Sequence, residues 1–259
     1  MIPLSADRIA AFGTDARYRI SVFPVLSSTN AFVKDLAASG APTGTVVLAE
    51  RQTAGRGRLG RSFYSPMGSG IYLTVLLRPR FAPRDASSVT TFAAVAVARA
   101  MERVCDVRAE IKWVNDVWIN GRKVCGILAE ATLASSGAAI DSIALGIGIN
   151  VTESAFPEEL LRIATSLERE SGVRVDRNHL TALLLEELSP LLDGNAPSAH
   201  MDEYRRRSFV LGREITVVSG DRSFPATASR IEEDGNLIVL CADGREERIV
   251  AGEVSLRLQ

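Results

Sequence analysis

The chain has 259 residues, a length compatible with one large domain or with a large and a small domain. Hydrophobic residues make up 46% and charged residues 24%, as is typical of a globular protein. Basic and acidic side chains number 30 and 31, so the net charge is -1. This balance argues against a general nucleic-acid-binding protein, which usually carries a basic excess.

Residue usage also narrows the chemistry. Three widely spaced cysteines, Cys105, Cys125 and Cys241, form no CxxC pair, so we expect buried thiols in a reducing cytosol. The two histidines, His179 and His200, lie away from every glycine-rich segment, which argues against a histidine base or a histidine-ligated metal. No signal peptide and no bilayer-spanning apolar run is evident, so a cytoplasmic protein without membrane contact is expected.

The first half of the chain is predicted to alternate short strands with helices. A polar run, Ser28-Thr29-Asn30, offers N-cap side chains to a helix that ends at Gly40. An alanine-rich helix is expected to pack flat against the sheet. The predicted elements are a helix at 5–12, a strand at 18–26, a helix at 31–39, strands at 44–50 and 70–78, and a helix at 86–105.

The second half begins with a predicted hairpin, strands 111–119 and 123–131 joined at Asn120-Gly121, the strongest short hairpin signal. A buried strand at 139–151 and helices at 157–170 and 179–192 follow. Short strands at 214–219, 224–232, 237–241 and 247–250 then predict a small β-meander or SH3-like barrel. We expect a boundary near residues 208–212, which gives domains 1–208 and 209–259.

The segment at residues 52–66, QTAGRGRLGRSFYSP, interleaves glycines with arginines. Glycine allows sharp turns and close approach to a ligand, and arginine presents a fixed planar fork to carboxylate or phosphate. The spacing matches neither the P-loop nor the G-x-G-x-x-G fingerprint. A phosphate cradle, a nucleic-acid backbone patch and a solvated basic loop all remain open on this segment alone.

Three further segments carry polar or glycine signals. Residues 112–130, KWVNDVWINGRKVCGILAE, place Lys112, Asn115, Asp116 and Lys123 around a tight turn, where cations suit phosphate transfer; an ordinary hairpin with solvent-facing charges is the alternative. GIGIN at 146–150 marks either a ligand approach or tight packing. The run at 28–30 serves either as a cap alone or as a seat for a polar ligand head.

In this order and spacing the four segments resemble the biotin–protein ligase family over residues 25–151: STN, QTAGRGR-x-GR-x-x-x-SP, KW-x-ND, K-x-x-GIL-x-E and G-x-GIN. GEVSLR at 252–257 resembles the end of that family's small β-barrel. The resemblance implies an α+β fold, with a class II synthetase-like mixed sheet flanked by helices and a small C-terminal SH3-like β-barrel. Lipoate ligases share that fold but lack the GRGR loop.

The resemblance further implies a two-step reaction. Biotin and ATP, with Mg²⁺ brought by the nucleotide and held by no site built by protein alone, give biotinyl-adenylate and pyrophosphate. A lysine of a biotin carboxyl carrier protein, such as that of acetyl-CoA carboxylase, then takes the biotinyl group and releases AMP. The reactive adenylate needs shielding from water, and a mobile loop that orders over it provides that.

Site roles follow from the resemblance position by position. Lys123 is expected to contact the biotin carboxylate and the α-phosphate, and Asp116 to orient the incoming lysine. The implied catalytic residues are Lys123, Arg58, Lys112 and Asp116. The implied biotin-binding residues are Ser28, Thr29, Asn30, Gln52, Gly55, Arg56, Gly57, Arg58, Lys123, Gly126, Gly146 and Gly148. The implied ATP-binding residues are Arg58, Arg61, Phe63, Lys112, Asn115, Asp116 and Asn150.

Some features depart from the family pattern. Phe63 stands where relatives often carry tryptophan, and it is still expected to cover the adenine. Fewer than thirty residues precede Ser28, which leaves no room for a winged-helix domain, so a ligase without repressor activity or DNA as a partner is expected. The family contains monomers and homodimers. The competing hypotheses are a lipoate or octanoate ligase of the same fold and a ligand-responsive regulator that binds nucleic acid through the basic loop.

Overall fold

The computed structural model describes residues 2–83, 86–135, 137, 139–152, 156–195, 199–250 and 252–256. These residues form two β-sheets and six α-helices. Within those ranges, no helix is both long enough and apolar enough to cross a membrane.

The larger sheet has seven strands in the order β1-β2-β3-β7-β6-β5-β4. β1 and β2 are parallel, and every other neighbouring pair is antiparallel. The predicted mixed sheet is therefore confirmed. Its strands are β1 Arg19–Leu26, β2 Thr45–Gln52, β3 Gly70–Leu77, β4 Glu110–Lys112, β5 Asp116–Ile119, β6 Arg122–Leu133 and β7 Ile140–Asn150.

Helices cover both faces of this sheet, which explains why β3 is buried along its whole length. The main core lies against α3, whose buried alanines allow close packing, and α5 packs against α3. A smaller core, with Val33, Val47 and Leu76, lies under α2 on the opposite face. The helices are α1 Ala6–Ala11, α2 Thr29–Ala38, α3 Ser87–Val104, α4 Leu167–Ser171, α5 Arg177–Leu188 and α6 Met201–Arg207.

The C-terminal sheet is antiparallel, with five strands in the order β11-β10-β9-β8-β12. Its strands are β8 Glu214–Ser219, β9 Arg222–Ile231, β10 Leu237–Cys241, β11 Glu246–Ile249 and β12 Glu253–Leu256. This confirms the predicted small β unit and adds β12; Arg257 of the GEVSLR motif lies outside the described residues. The turn at Asp234-Gly235 docks on the larger unit, where the carbonyl of Gly235 accepts a 2.9 Å hydrogen bond from Trp113 Nε1. The exact boundary between domains stays a prediction.

The predicted strand at 111–119 is wrong as a single element. The chain reverses after Lys112, and Ile111 pairs with Val117 across a β4–β5 hairpin of its own. The turn between them is held from outside, because the backbone carbonyl of Asn115 accepts from Ile127 N at 3.0 Å and that of Val114 from Tyr204 Oη at 3.0 Å. The second turn, with φ of 50° at Asn120 and 74° at Gly121, is the tight hairpin that was predicted.

Two other predictions also differ from the structure. The helix expected over residues 157–170 is not continuous. The structure has a 3₁₀ turn at Glu158–Leu160 and the short helix α4, because the residues between them run beside β6. There Lys123 donates its backbone N–H to Ile163 and accepts from Thr165, at 2.7 and 2.8 Å. α6 was not predicted. All three cysteines are free, but Cys241 is only partly buried, against expectation.

Candidate active site

A cleft opens between the start of α2, the end of β2, residues 53–66 and the strands β6 and β7. We call residues 53–66 the arginine loop. The lining residues are Ser28, Thr29, Asn30, Gln52, Arg56, Gly57, Arg58, Phe63, Leu73, Asn115, Lys123, Gly126, Ile127, Leu128, Gly146, Ile147 and Gly148. Residues from all four motif segments therefore meet in one cavity, and neither histidine lines it.

One end of the cleft, which we call the head end, is formed by Ser28, Thr29, Asn30 and Gln52. Ser28 caps α2 and accepts a hydrogen bond from Ala31 N through its side chain. Gln52 accepts from the backbone N–H and the hydroxyl of Thr29, at 2.8 and 3.1 Å. Its amide nitrogen donates to Ser65 Oγ at 3.0 Å, so Gln52 ties the helix start to the base of the arginine loop.

Asn30 is 4% exposed and is held on three sides. Its Nδ2 donates to the Leu128 carbonyl at 3.2 Å and to Glu130 Oε2 at 2.9 Å, and its Oδ1 accepts from Thr74 Oγ1 at 2.6 Å. Burial opposes the ionisation of Glu130, yet hydrogen bonds from Asn30 and Lys34 outweigh it and hold the pKa of Glu130 below its usual range. Sequence reasoning missed Thr74; the available signal was a hydroxyl in an otherwise apolar strand.

The predicted glycines leave space where side chains now lie. A Cβ at Gly146 would collide with Oδ1 of Asn30, and a Cβ at Gly148 would lie 2.5 Å from the Phe63 ring. A Cβ at Gly126 would meet Lys123 Nζ at 3.1 Å and the same ring at 3.3 Å. A side chain is therefore excluded at position 146 by the fixed Asn30, and at position 148 by the Phe63 ring, which the arginine loop carries.

The arginine loop forms its own short hairpin. Arg56 pairs with Ser62, Gly57 N donates to the Arg61 carbonyl at 2.7 Å, and the turn passes through positive φ at Leu59. Gly55 does not line the cleft, because it packs inside this hairpin with its Cα facing the Phe63 carbonyl. The hairpin presents Arg58 toward Asn115 and Gly252, and Arg61 toward Glu253.

Those two arginines have protein partners at the other end of the cleft, the cation end. Arg58 donates to Asn115 Oδ1 at 2.9 Å and to the Gly252 carbonyl at 3.0 Å. Arg61 forms a 2.5 Å ion pair with Glu253. Burial lowers the pKa of the Arg58 guanidinium, against the opposing influence of Asp116 and Glu253. The loop therefore touches the C-terminal sheet through charge-assisted contacts.

Two lysines complete the cation end. Lys123 forms a 2.7 Å ion pair with Asp116, and Lys112 lies 5.2 Å from the centre of the Trp118 ring. Burial lowers the pKa of Lys112, although Asp116 and Glu253 favour its charged form. These cations contact two carboxylates, an amide, a carbonyl and a ring, and cations of this kind form strong charge-assisted hydrogen bonds with phosphate.

Of the predicted site residues, five lie beside the cleft and not in its lining: Gly55, Arg61, Lys112, Asp116 and Asn150. Asp116 reaches the cleft through Lys123. Asn150 is the outlier, because its side chain donates to the Thr165 carbonyl at 3.1 Å at the end of β7. In the part of the chain that the structure describes, no three His, Cys, Asp or Glu side chains gather as a metal site would need.

Comparisons with known proteins decide the family. The model of the Biotin/lipoate A/B protein ligase family matches residues 22–150, and that of the Biotin protein ligase C terminal domain matches residues 210–257. The biotin--[acetyl-CoA-carboxylase] ligase of Mycobacterium tuberculosis is 35% identical over 258 residues, covering 96% of this chain and 92% of that protein. The chain belongs to the biotin protein ligase family.

Members of the family differ in length and in what surrounds this region. The bifunctional ligase/repressor BirA of Bacillus spizizenii is 43% identical over 155 residues, and the match covers 59% of this chain but only 47% of that protein. The chain thus spans about half the length of this relative. Biotin protein ligase from Aquifex aeolicus, solved in complex with biotin and ATP, superposes with a TM-score of 0.77 at 28% identity, covering 93% and 99% of the two chains.

Proposed function

We propose that the chain activates biotin with ATP to biotinyl-5′-AMP and transfers the biotinyl group to a lysine of a biotin carboxyl carrier protein. One observation carries the proposal: a single cleft joins a polar, hydrogen-bonded head end to a cation end. A ligand with a polar head, an apolar chain and a carboxylate fits that polarity. The Aquifex relative, whose structure holds biotin and ATP, supplies the candidate ligands.

At the head end, Thr29, Asn30 and Gln52 would hold the ureido ring of biotin. They are buried or half-buried and already fixed by hydrogen bonds, so little ordering accompanies binding. The valerate chain would run past Gly146 and Gly148, where Phe63 must move aside because its ring now covers Gly148.

At the cation end, a carboxylate oxygen of biotin attacks the α-phosphorus of ATP and pyrophosphate leaves. Lys123 would contact the carboxylate and the α-phosphate, and Arg58, Arg61 and Lys112 would stabilise the charge on the phosphates. Mg²⁺ would arrive with the nucleotide, because the ion needs few protein ligands when phosphates supply oxygens.

In the second step the amine of the acceptor lysine attacks the carbonyl carbon of the adenylate, and AMP leaves with the bonding electrons. The amine must first lose a proton, and we assign Asp116 to this role because it forms a 2.7 Å ion pair with Lys123, which lines the cleft. The names of the Mycobacterium and Paracoccus denitrificans relatives support acetyl-CoA carboxylase as the source of the acceptor.

The direct test is exchange of labelled pyrophosphate into ATP by the purified chain. Biotin should be required for the exchange, and in a second experiment with labelled biotin a biotin carrier domain should become labelled at one lysine. Exchange driven by lipoate or octanoate, with biotin inactive, would overturn the proposal.

A further inference from the structure

Thr74 lies in the middle of β3, beneath the first turn of α2, and is completely buried. It does not line the cleft, so it has no direct access to a ligand. Its hydroxyl nevertheless lies 2.6 Å from Asn30 Oδ1 and 2.8 Å from Thr29 Oγ1, the side chains of two lining residues. A hydroxyl buried among apolar strand residues needs partners, and here both partners belong to the head end.

The hydrogen bonds of Asn30 fix which way its carboxamide faces. Its two amide hydrogens are accepted by the Leu128 carbonyl and by Glu130, so the oxygen must turn inward. That oxygen can only accept, and Thr74 supplies the donor. Without this hydroxyl, the Asn30 oxygen would be left buried above Gly146 with no donor.

We propose that Thr74 is a positioning residue of the head end, which sets the Asn30 carboxamide for a ligand head rich in hydrogen-bonding groups. The inference rests on the proposed function, with the ureido ring of biotin as that head. A site built for hydrogen bonds rejects an analogue that lacks them, because its own polar groups would stay unpaired. Thr74 therefore acts on the choice of ligand, and not on the reacting phosphate.

The test compares two variants that differ only in the hydroxyl. T74S and T74A both lose the methyl group, and only T74A loses the donor. In biotin-dependent pyrophosphate exchange, we expect T74A to raise the KM for biotin about tenfold, the consequence of leaving a buried acceptor unpaired. Its kcat at saturating biotin and its KM for ATP should stay within about twofold of the parent, since the cation end is untouched. T74S should stay close to the parent in all three.

Thr91 provides a matched control, because it is also completely buried but its hydroxyl lies 2.7 Å from His200, away from the cleft. T91S and T91A should change the melting temperature without changing the KM for biotin. If T74A does not fold, T74V keeps nearly the same volume without a donor and carries the same comparison.

Equal KM values for biotin in T74S and T74A, with an active parent, would overturn the role of Thr74 and leave the proposed function standing. A T74A variant that loses kcat and both affinities to the same degree would also overturn it, because that result indicates general distortion. A parent without biotin-dependent exchange would instead defeat the proposed function itself.

Discussion

The two ends of the cleft are built in opposite ways. At the head end, side chains such as Asn30 and Thr29 are buried and hydrogen-bonded to residues of the sheet. At the cation end, Arg58 and Arg61 lie on a loop. Arg58 donates to the Asn115 amide and the Gly252 carbonyl, and Arg61 pairs with the Glu253 carboxylate. Arg61 is 68% exposed, whereas Asn30 is 4% exposed.

This difference separates two tasks. A preformed head end selects the ligand at low entropic cost, because its side chains are ordered before binding. In the proposed function, an adjustable cation end would change partners when phosphate arrives and would open again for the acceptor. The comparison predicts that variants at the head end change mainly the KM for biotin, and that variants at the cation end change kcat or retention of the adenylate.

The largest effect is expected from Lys123. K123Q removes the cation proposed to meet the α-phosphate and should lower kcat for adenylation by roughly 10²–10³-fold, the usual loss when one stabilising group is removed. The KM for biotin should rise by much less than kcat falls, because only the contact to the carboxylate is lost and the head end is untouched. Rapid-quench measurement of adenylate formation at saturating biotin checks this. A K123Q enzyme with normal kcat and a raised KM for biotin would contradict the division between the two ends.

A second test compares two glycines of β7. G146A forces a methyl group onto Asn30, which is fixed, and should raise the KM for biotin by roughly 10–100-fold, in line with overpacking of about 1–3 kcal/mol. The nearest neighbour of G148A is the Phe63 ring on the loop, which can move, and the flexible valerate chain would pass there, so the effect should be smaller, about fivefold or less. Pyrophosphate exchange over a range of biotin concentrations measures both KM values. Equal losses would show that the loop side is as rigid as the head end.

A contrast between local patterns and distant contacts explains which parts of the structure could be predicted from the sequence. Strands, the alanine-rich helix and the Asn120-Gly121 turn follow local patterns, and the structure has them in place. The reversal after Lys112 depends on hydrogen bonds from Ile127 and Tyr204, which no local pattern records. The site motifs predicted which segments meet. The partners that hold them, Thr74 below Asn30 and Glu253 beside Arg61, come from distant strands and needed the folded chain.

A third prediction concerns leakage of the intermediate. R58G removes a half-buried guanidinium that donates to Asn115 and Gly252, and should release biotinyl-adenylate about tenfold faster, because the cation proposed to meet the phosphate is lost. Released adenylate would label lysines of an unrelated protein. R58K is the matched control, since it keeps the charge without the fork. Unchanged release from R58G, or an unfolded R58G protein, would contradict the role of Arg58.

The smallest effect is expected at the contact between the loop and the C-terminal sheet. E253Q breaks the exposed ion pair with Arg61, and exposed pairs contribute about 0.2–1 kcal/mol. Trypsin should cut the ligand-free arginine loop about twofold to fivefold faster, with the exchange reaction altered by less than about twofold. If E253Q instead abolishes exchange, Glu253 belongs to the chemistry and not to the docking of the loop.

Amide hydrogen exchange tests the central claim most directly, because it reports both ends of the cleft in one experiment. The protein would be measured free, with biotin, and with biotin and ATP. We predict that amides of residues 53–66 exchange at least about tenfold more slowly with both ligands present, whereas those of β3 are already protected in the free protein. An arginine loop protected equally in all three states, or a β3 that becomes protected only with ligand, would contradict the account.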